Sequence, residues 1–265
     1  MAYKTWIYNY RRIFSRMIKF SKSDIGLILA RPILGKIIKR FLPHQLQGGL
    51  CINLDDENVP DRKAAAHFLK ILERSEKKIV AKVIKKTFPI IEIGAGLGSV
   101  SLSICSVIDR NQSVLIIEAN PRLESFWRKN IALSQRKNLT FLPVAVGSTT
   151  CLSVLFIIDN TIYGSHLAND AENMNESLLY VKTMNFSDVL SFSGFANFSL
   201  VCDIEGAEYY LMDQDNDNFI QRCQSATIEI HNHKKYTPND LVNRLELSGL
   251  LLKHKRNNVF GFSRK

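Results

Sequence analysis

The stretch Ile90-Ile91-Glu92-Ile93-Gly94-Ala95-Gly96-Leu97-Gly98 decides how the chain is read. The first four residues have the apolar, β-branched character of a buried strand. Three glycines at alternate positions then mark a turn, and residues 102–108 continue it as a helix. Glycine tolerates positive φ and lets another group approach the backbone closely, and a helix start offers free N–H groups. In an open α/β sheet a ligand binds beyond the carboxyl ends of the strands, where the strand order reverses. Glu92 adds an acid two residues before the first glycine, which suits a cationic ligand and is not needed for a pyrophosphate.

Working outward, Val114–Ile117 reads as the next strand, and Glu118 ends it, 24 residues after Gly94. A carboxylate there can accept hydrogen bonds from both ribose hydroxyls, a feature shared by NAD and other adenosine cofactors. The dinucleotide fingerprint G-x-G-x-x-G expects its third glycine at position 99. Here it falls one residue early, at Gly98, with Ser99 in the expected place. The bland alternative for Glu118 is a solvated strand end.

The rest of the pattern alternates strand and helix. Residues 61–86 read as one helix with Ala64, Phe68, Ile71 and Leu72 on a stripe, broken at Pro89. Residues 121–134 read as a helix, 139–146 as a strand, and 152–158 as its hairpin partner. The Asn-rich stretch 160–176 reads as a loop that could cover the site. Strands follow at 199–202 and 226–231. Thr237-Pro238-Asn239-Asp240 is a helix start with Pro at the first helical position. That helix ends at Gly249, and 250–253 with 259–262 form a final hairpin. The expected fold is a Rossmann-like α/β sheet, mostly parallel, with an antiparallel C-terminal hairpin and helices on both faces.

Two acidic groups fall at further strand ends. Asp203-Ile204-Glu205-Gly206-Ala207-Glu208 sets three carboxylates around a glycine, and Glu229, His231 and His233 follow the next strand. Clustered acids cost repulsion and desolvation, so folding alone explains them poorly. They are suited to holding a cation, acting as a base, or binding substrate hydroxyls. For the second group the bland reading is a capped strand end with a solvent-facing His. Asp203, Glu205 and Glu229 offer oxygen ligands to a divalent ion; no metal is assigned.

From residue 89 to 249 the chain resembles the FkbM family of S-adenosylmethionine-dependent methyltransferases. The resemblance is carried by Glu92-Ile93-Gly94-Ala95-Gly96-Leu97-Gly98, Glu118-Ala119-Asn120-Pro121, Val144-Ala145-Val146-Gly147, Asp203-Ile204-Glu205-Gly206-Ala207-Glu208 and Ile228-Glu229-Ile230-His231. Glu92 stands where the family commonly has Asp, Gly96 where it has Asn, and Cys202 replaces a frequent lysine. The resemblance implies a class I methyltransferase sheet and S-adenosyl-L-methionine as cofactor. It implies cofactor contacts from Glu92, Gly94, Ala95, Gly96, Gly98, Glu118, Asn120, Ala145 and Val146. It also implies O-methylation of a hydroxyl on a saccharide or secondary metabolite. Asp203 and His231 are the base candidates with Glu205 beside them, and Glu208 and Glu229 are expected at the substrate.

Composition bounds the remainder. The 265 residues are 46% hydrophobic and 23% charged, ordinary for a globular protein, which rules out a disordered or collagenous chain. The five cysteines stand singly with no C-x-x-C pair, which excludes a zinc ribbon or thioredoxin-type site. Their odd number and the absence of a signal-peptide pattern lead us to expect a cytoplasmic protein. The net charge of +10 is concentrated at the start: residues 1–40 hold ten Lys/Arg and one acid, while residues 41–265 hold 25 basic and 24 acidic side chains. Residues 1–60 are therefore expected to form a basic helical arm and linker, and residues 61–265 the methyltransferase domain. In the arm, Ile13, Phe14, Met17, Ile18 and Leu34, Ile37, Ile38, Phe41 follow helical spacing. Such helices pack as ordinary caps or lie peripherally on an anionic membrane surface. A small-molecule or glycan acceptor is expected and no nucleic acid, because no aromatic platform or N-P-P-Y-type tetrad accompanies the charge. The competing readings are an NAD-dependent oxidoreductase and a non-catalytic binding module on the same fold.

Overall fold

The computed structural model describes residues 24–149, 151–158, 166–167 and 177–265. Expectations on the first part of the arm, and on 160–176 apart from 166–167, lie outside the described residues. The chain begins with α1 (Asp24–Phe41). A hairpin follows, β1 (His44–Gln47) and β2 (Leu50–Asn53), and then α2 (Asp61–Phe68) and α3 (Arg74–Val83). Next come β3 (Ile90–Ile93), α4 (Ser99–Val107), β4 (Val114–Ile117), α5 (Glu124–Leu133) and β5 (Leu139–Leu142). A smaller group contains β6 (Ala145–Val146), β7 (Cys151–Ile158), β8 (His166–Leu167) and β9 (Ser177–Met184). The chain closes with α6 (Phe186–Ser193), β10 (Phe198–Cys202), α7 (Asp217–Arg222), β11 (Cys223–Glu229), α8 (Pro238–Leu247), β12 (Leu251–Arg256) and β13 (Val259–Ser263).

The main sheet has seven strands in the order β12-β13-β11-β10-β3-β4-β5. Pairs β10–β11, β10–β3, β3–β4 and β4–β5 are parallel, and β13 is antiparallel to both of its neighbours. This is the mostly parallel Rossmann-like sheet with an antiparallel C-terminal hairpin that the sequence leads one to expect. The chain moves from β3 outward to β5, then returns to β10 on the other side of β3. The strand order therefore reverses between β3 and β10.

Strand alternation sorts the core into two layers. Ile91 and Ile93 face one layer, with Leu115, Leu200, Phe186, Phe198, Phe219 and Leu241. Ile90 faces the other, with Ile52, Val80, Ile104, Ile116, Phe126 and Trp127. Each fully buried aliphatic or aromatic side chain of this kind contributes about 1.5–3 kcal/mol of hydrophobic stabilisation.

Three expectations are corrected. Residues 43–60, within the stretch expected as arm and linker, contain the β1–β2 hairpin, whose Leu50 and Ile52 are fully buried in the second layer. The helix expected over 61–86 is two helices, and Lys70 and Glu73 between them take positive φ. The strand expected over 139–146 stops at Leu142, before Pro143. Ala145–Val146 joins a separate four-stranded sheet, β6-β9-β7-β8, in which β7 pairs with β9 and β8 and not with β5. In the described part of the arm, α1 packs on α2 as a cap: Ile38 is buried, and Lys39 Nζ donates to the carbonyls of Asp56 (3.2 Å) and Val59 (2.9 Å). Ile37 and Phe41, of the same stripe, stay exposed. Among the described residues no helix is long and apolar enough to cross a membrane.

Candidate functional site

The sheet register builds the site. Ile93 pairs with Ile117 on one side and Cys202 on the other, and Cys202 pairs with Ile228. The next residues are Gly94, Glu118, Asp203 and Glu229, so four chemically informative positions share one edge of the sheet. That edge is the carboxyl end, and the order reverses there. A side chain at Gly94 would place its Cβ 1.7 Å from the Asp203 carbonyl oxygen, so the glycine is what allows the two loops to meet. At Gly98 the corresponding space holds Ile52 Cδ1 and Trp127 Cη2, so this glycine admits the β1–β2 hairpin and α5.

The glycine loop is fixed by hydrogen bonds from both sides. Gly96 N–H donates to Glu118 Oε2 (2.7 Å), and Trp127 Nε1–H donates to the Gly96 carbonyl (3.0 Å). Glu118 Oε1 accepts from Asn120 N–H (2.7 Å). Asn120 Oδ1 in turn accepts from Arg122 N–H at 3.0 Å, while its buried Nδ2 has no partner. Burial raises the pKa of Glu118, and the N–H groups of Asn120, Gly96 and Ala119 pull it back. Ala145 is buried with Val181 against Ala119, which brings the β6 segment, with Val146 beside it, next to the Glu118 loop. The structure thus gathers Gly94, Ala95, Gly96, Gly98, Glu118, Asn120, Ala145 and Val146 around one end of β3 and β4.

The second half of the edge is a carboxylate cluster around one imidazole. His231 Nδ1 lies 3.0 Å from Glu208 Oε1, and Nε2 lies 3.3 Å from Glu205 Oε2, 3.8 Å from Asp203 Oδ1 and 4.0 Å from Glu229 Oε1. Burial lowers the imidazole pKa, but the hydrogen bond and charge of Glu208, with Asp203 and Glu205, outweigh it and raise the value to about 9. His231 therefore carries its proton at neutral pH. Protonated, it is a countercharge to the carboxylates around it. Burial, and then Glu229, hold the Asp203 carboxyl well above the ordinary range, with His231 opposing. Its Oδ1 is buried without a hydrogen-bond donor. A carboxyl of raised pKa is a stronger base once ionised.

The structure places Glu208 beneath this surface. It is fully buried, and its oxygens accept from Ile204 N–H and Gly206 N–H, both at 3.0 Å. It shapes the 203–206 loop and aims His231, and has no surface for the substrate contact expected from the sequence. Glu205 stands on that loop at φ 53°, a left-handed conformation that non-glycine residues hold only when the surroundings enforce it. Glu229 accepts from Asn258 Nδ2 at 2.5 Å. Tyr209 donates to the His231 carbonyl (2.9 Å) and packs its ring on His233 (4.8 Å), which stacks on Tyr236 (5.5 Å). His233 therefore joins an aromatic shelf beside the cluster.

Glu76 on α3, and Glu73 just before it, extend the cluster and escaped the sequence reading. A Glu76 carboxylate oxygen lies within 4.8 Å of those of Asp203 and Glu229. The residue is 5% exposed, and burial with its acidic neighbours holds its pKa well above the usual range. Burial raises Glu73 to about 7, with Lys77 pulling it back. A signal was present: Glu76 shares the stripe of Ile79, Val80 and Val83, so a carboxylate sits on an apolar face. Glu92 faces the layer of α4. Its Oε1 accepts from Ser101 Oγ (2.8 Å), and its buried Oε2 has no partner. Two sets, Asp203–Glu205–His231 and Glu76–Asp203–Glu229, place possible cation ligands within 4.8 Å of one another. The edge as a whole is an acidic basin that favours a positively charged occupant.

No family model matches the chain, and no curated protein matches it. Solved structures resemble it at low identity. Against the precorrin-6y C5,15-methyltransferase of Geobacter metallireducens, identity is 14% over 71% of this chain and 84% of that one, at a TM-score of 0.41. Aeropyrum pernix fibrillarin, solved with natively bound S-adenosyl-L-methionine, is 13% identical over 76% and 74% of the two chains, at 0.40. M. jannaschii TYW2, solved with AdoMet, is 14% identical over 84% and 86%, at 0.38.

Proposed function

We propose that the protein is an S-adenosylmethionine-dependent methyltransferase that O-methylates a hydroxyl of a saccharide or secondary metabolite, in the manner of the FkbM family. The observation that carries this reading is the acidic edge itself. A glycine loop clamped to Glu118 stands beside a basin of carboxylates, at the point where the strand order reverses.

The residues fit such a cofactor. Glu118 uses each oxygen for one backbone N–H and keeps lone pairs for a ribose diol. Asn120 Nδ2 is a buried donor awaiting an acceptor, and Ala145 and Val146 offer a small apolar border for a purine. The carboxylates suit a sulfonium and an ammonium group, whereas a pyrophosphate would meet like charge, which disfavours the NAD-dependent alternative. When bound, the cofactor supplies an electrophilic methyl group to an in-line oxygen nucleophile.

The chain's own side chains supply the rest. Asp203 takes the proton of the acceptor hydroxyl at a carboxylate oxygen. The His231 imidazolium compensates neighbouring charge, and Glu208 holds that imidazole in place. The shelf of His233 and Tyr236, backed by the buried Tyr209, would lie along a ring-shaped acceptor and help exclude water. Orientation of this kind is worth about 7–11 kcal/mol of barrier in favourable cases. The test is transfer of isotope-labelled methyl to a panel of hydroxyl-bearing glycans and secondary metabolites. Wild type should label at least one, and Asp203→Asn should slow the reaction by about 100-fold or more. Equal labelling by the Asn variant would remove Asp203 as the base.

A further inference from the structure

Opposite in charge to the acidic basin is a cavity of about 820 Å³ between α3, α4, β1 and β12. Its cationic lining includes Lys70, Arg74, Lys77, Lys78, Lys82 and Arg256. Lys77 is half-buried and donates to Ser99 Oγ (2.9 Å) at the start of α4. Among the described residues, no carboxylate forms a salt bridge with Lys70, Arg74, Lys78, Lys82 or Arg256. Arg256, Arg74 and Lys82 depress the pKa of Lys78, which is the mark of like charges crowded together. Convergent cations around a concavity cost folding free energy unless something negative fills it.

The shape narrows the occupant. The volume is that of a small-molecule site. Gln45, Gln47 and Ser103 add hydrogen-bonding groups and Leu102 a patch of apolar floor, while no Phe, Tyr or Trp lines the cavity for base stacking. Arginine and lysine in such numbers match the oxygens of phosphate groups. We propose that this cavity binds a small molecule carrying two or more phosphate groups. The proposal does not depend on methyl transfer. The cavity adjoins the acidic basin through α3, where Glu76 faces the basin and the next residue, Lys77, lines the cavity.

The test is calorimetric titration of the full chain with inorganic pyrophosphate at low salt, with orthophosphate and phosphatidylserine vesicles as separate arms. Saturable pyrophosphate binding at or below about 1 mM is expected, tighter than orthophosphate. Arg74→Glu/Lys78→Glu should weaken it at least about tenfold, and Arg222→Glu, outside the cavity, should leave it unchanged. All four cavity positions altered here are solvent-facing, and a second pair, Lys82→Glu/Arg256→Glu, repeats the test should the first fold poorly. Absence of pyrophosphate binding, binding that survives both reversals, or vesicle binding in its place would overturn the proposal. Binding of S-adenosylhomocysteine by the reversed variants, measured in parallel, separates this outcome from failure of the methyltransferase reading.

Discussion

Replacing Glu92 with Gln isolates the energetic burden of one carboxyl buried in β3, behind the acidic edge. Glu92 is 1% exposed; burial raises its pKa from 4.5 to about 8, with the Ser101 hydrogen bond opposing. Between these values the unfolded chain has released the proton and the folded chain still holds it. The native state binds more protons, so stability is full below pH 4.5 and falls as pH rises towards 8. At pH 7 the unfolded carboxyl is about 2.5 units past its midpoint, and each unit is about 1.4 kcal/mol. The cost comes to about 3 kcal/mol. Glutamine carries no such pH-dependent cost and keeps an oxygen to accept from Ser101. The buried amide has an extra N–H to satisfy, which costs about 1–3 kcal/mol at every pH. The clean quantity is therefore the change in the gap between variant and wild type. Urea unfolding at pH 4 and pH 7 should show the gap moving by about 3 kcal/mol in favour of Glu92→Gln. In melting temperature that is about 2–4 °C per kcal/mol. A gap constant to within about 0.5 kcal/mol would mean that Glu92 titrates normally, and the account of a carboxyl held protonated by burial in β3 would be wrong.

Three further predictions follow from the same geometry. Gly94→Ala should destabilise the fold by more than about 2 kcal/mol in denaturant titration, since its φ is 85° and its Cβ would meet the Asp203 carbonyl; a neutral effect would place the two loops further apart than described. Glu208→Gln should drop the His231 titration midpoint, followed by NMR, from about 9 towards 6.5, and an unmoved midpoint would refute Glu208 as its main support. His231 itself adds stability below pH 6.5 that is lost as pH rises through 9, and this component should shrink in the same variant. Trp127→Phe should cost about 1 kcal/mol through the lost hydrogen bond to Gly96 and weaken cofactor binding by loosening the loop; unchanged affinity would show that the bond does not matter for the site.

Much of the architecture was legible because local signals coincided. Glycines after a β-branched run fixed β3 and its loop, and Thr237-Pro238 with Asp240 marked the start of α8, where the structure adds a capping box. The hairpin β1–β2 carried its own turn, Gly48-Gly49, but Pro43 and the following acids made the region read as linker. The break between α2 and α3 was not legible. It contains neither Gly nor Pro, and is made by Lys70 and Glu73 in left-handed conformations that only tertiary packing imposes. Glu73 stands at that break and was hidden with it, whereas Glu76 left a signal as a carboxylate on the apolar stripe. The charge state of His231 was hidden as well, because it depends on Glu208, distant in sequence and fully buried beside it.

The most direct test of the central claim is calorimetric titration of the purified chain with S-adenosylmethionine and with its neutral product S-adenosylhomocysteine. The account predicts saturable binding of both, and loss of at least about tenfold in affinity on Glu118→Ala. It also predicts a preference for the cationic form that weakens as salt rises. A folded protein that binds neither ligand at millimolar concentration, or a Glu118→Ala variant that binds as wild type does, would contradict it.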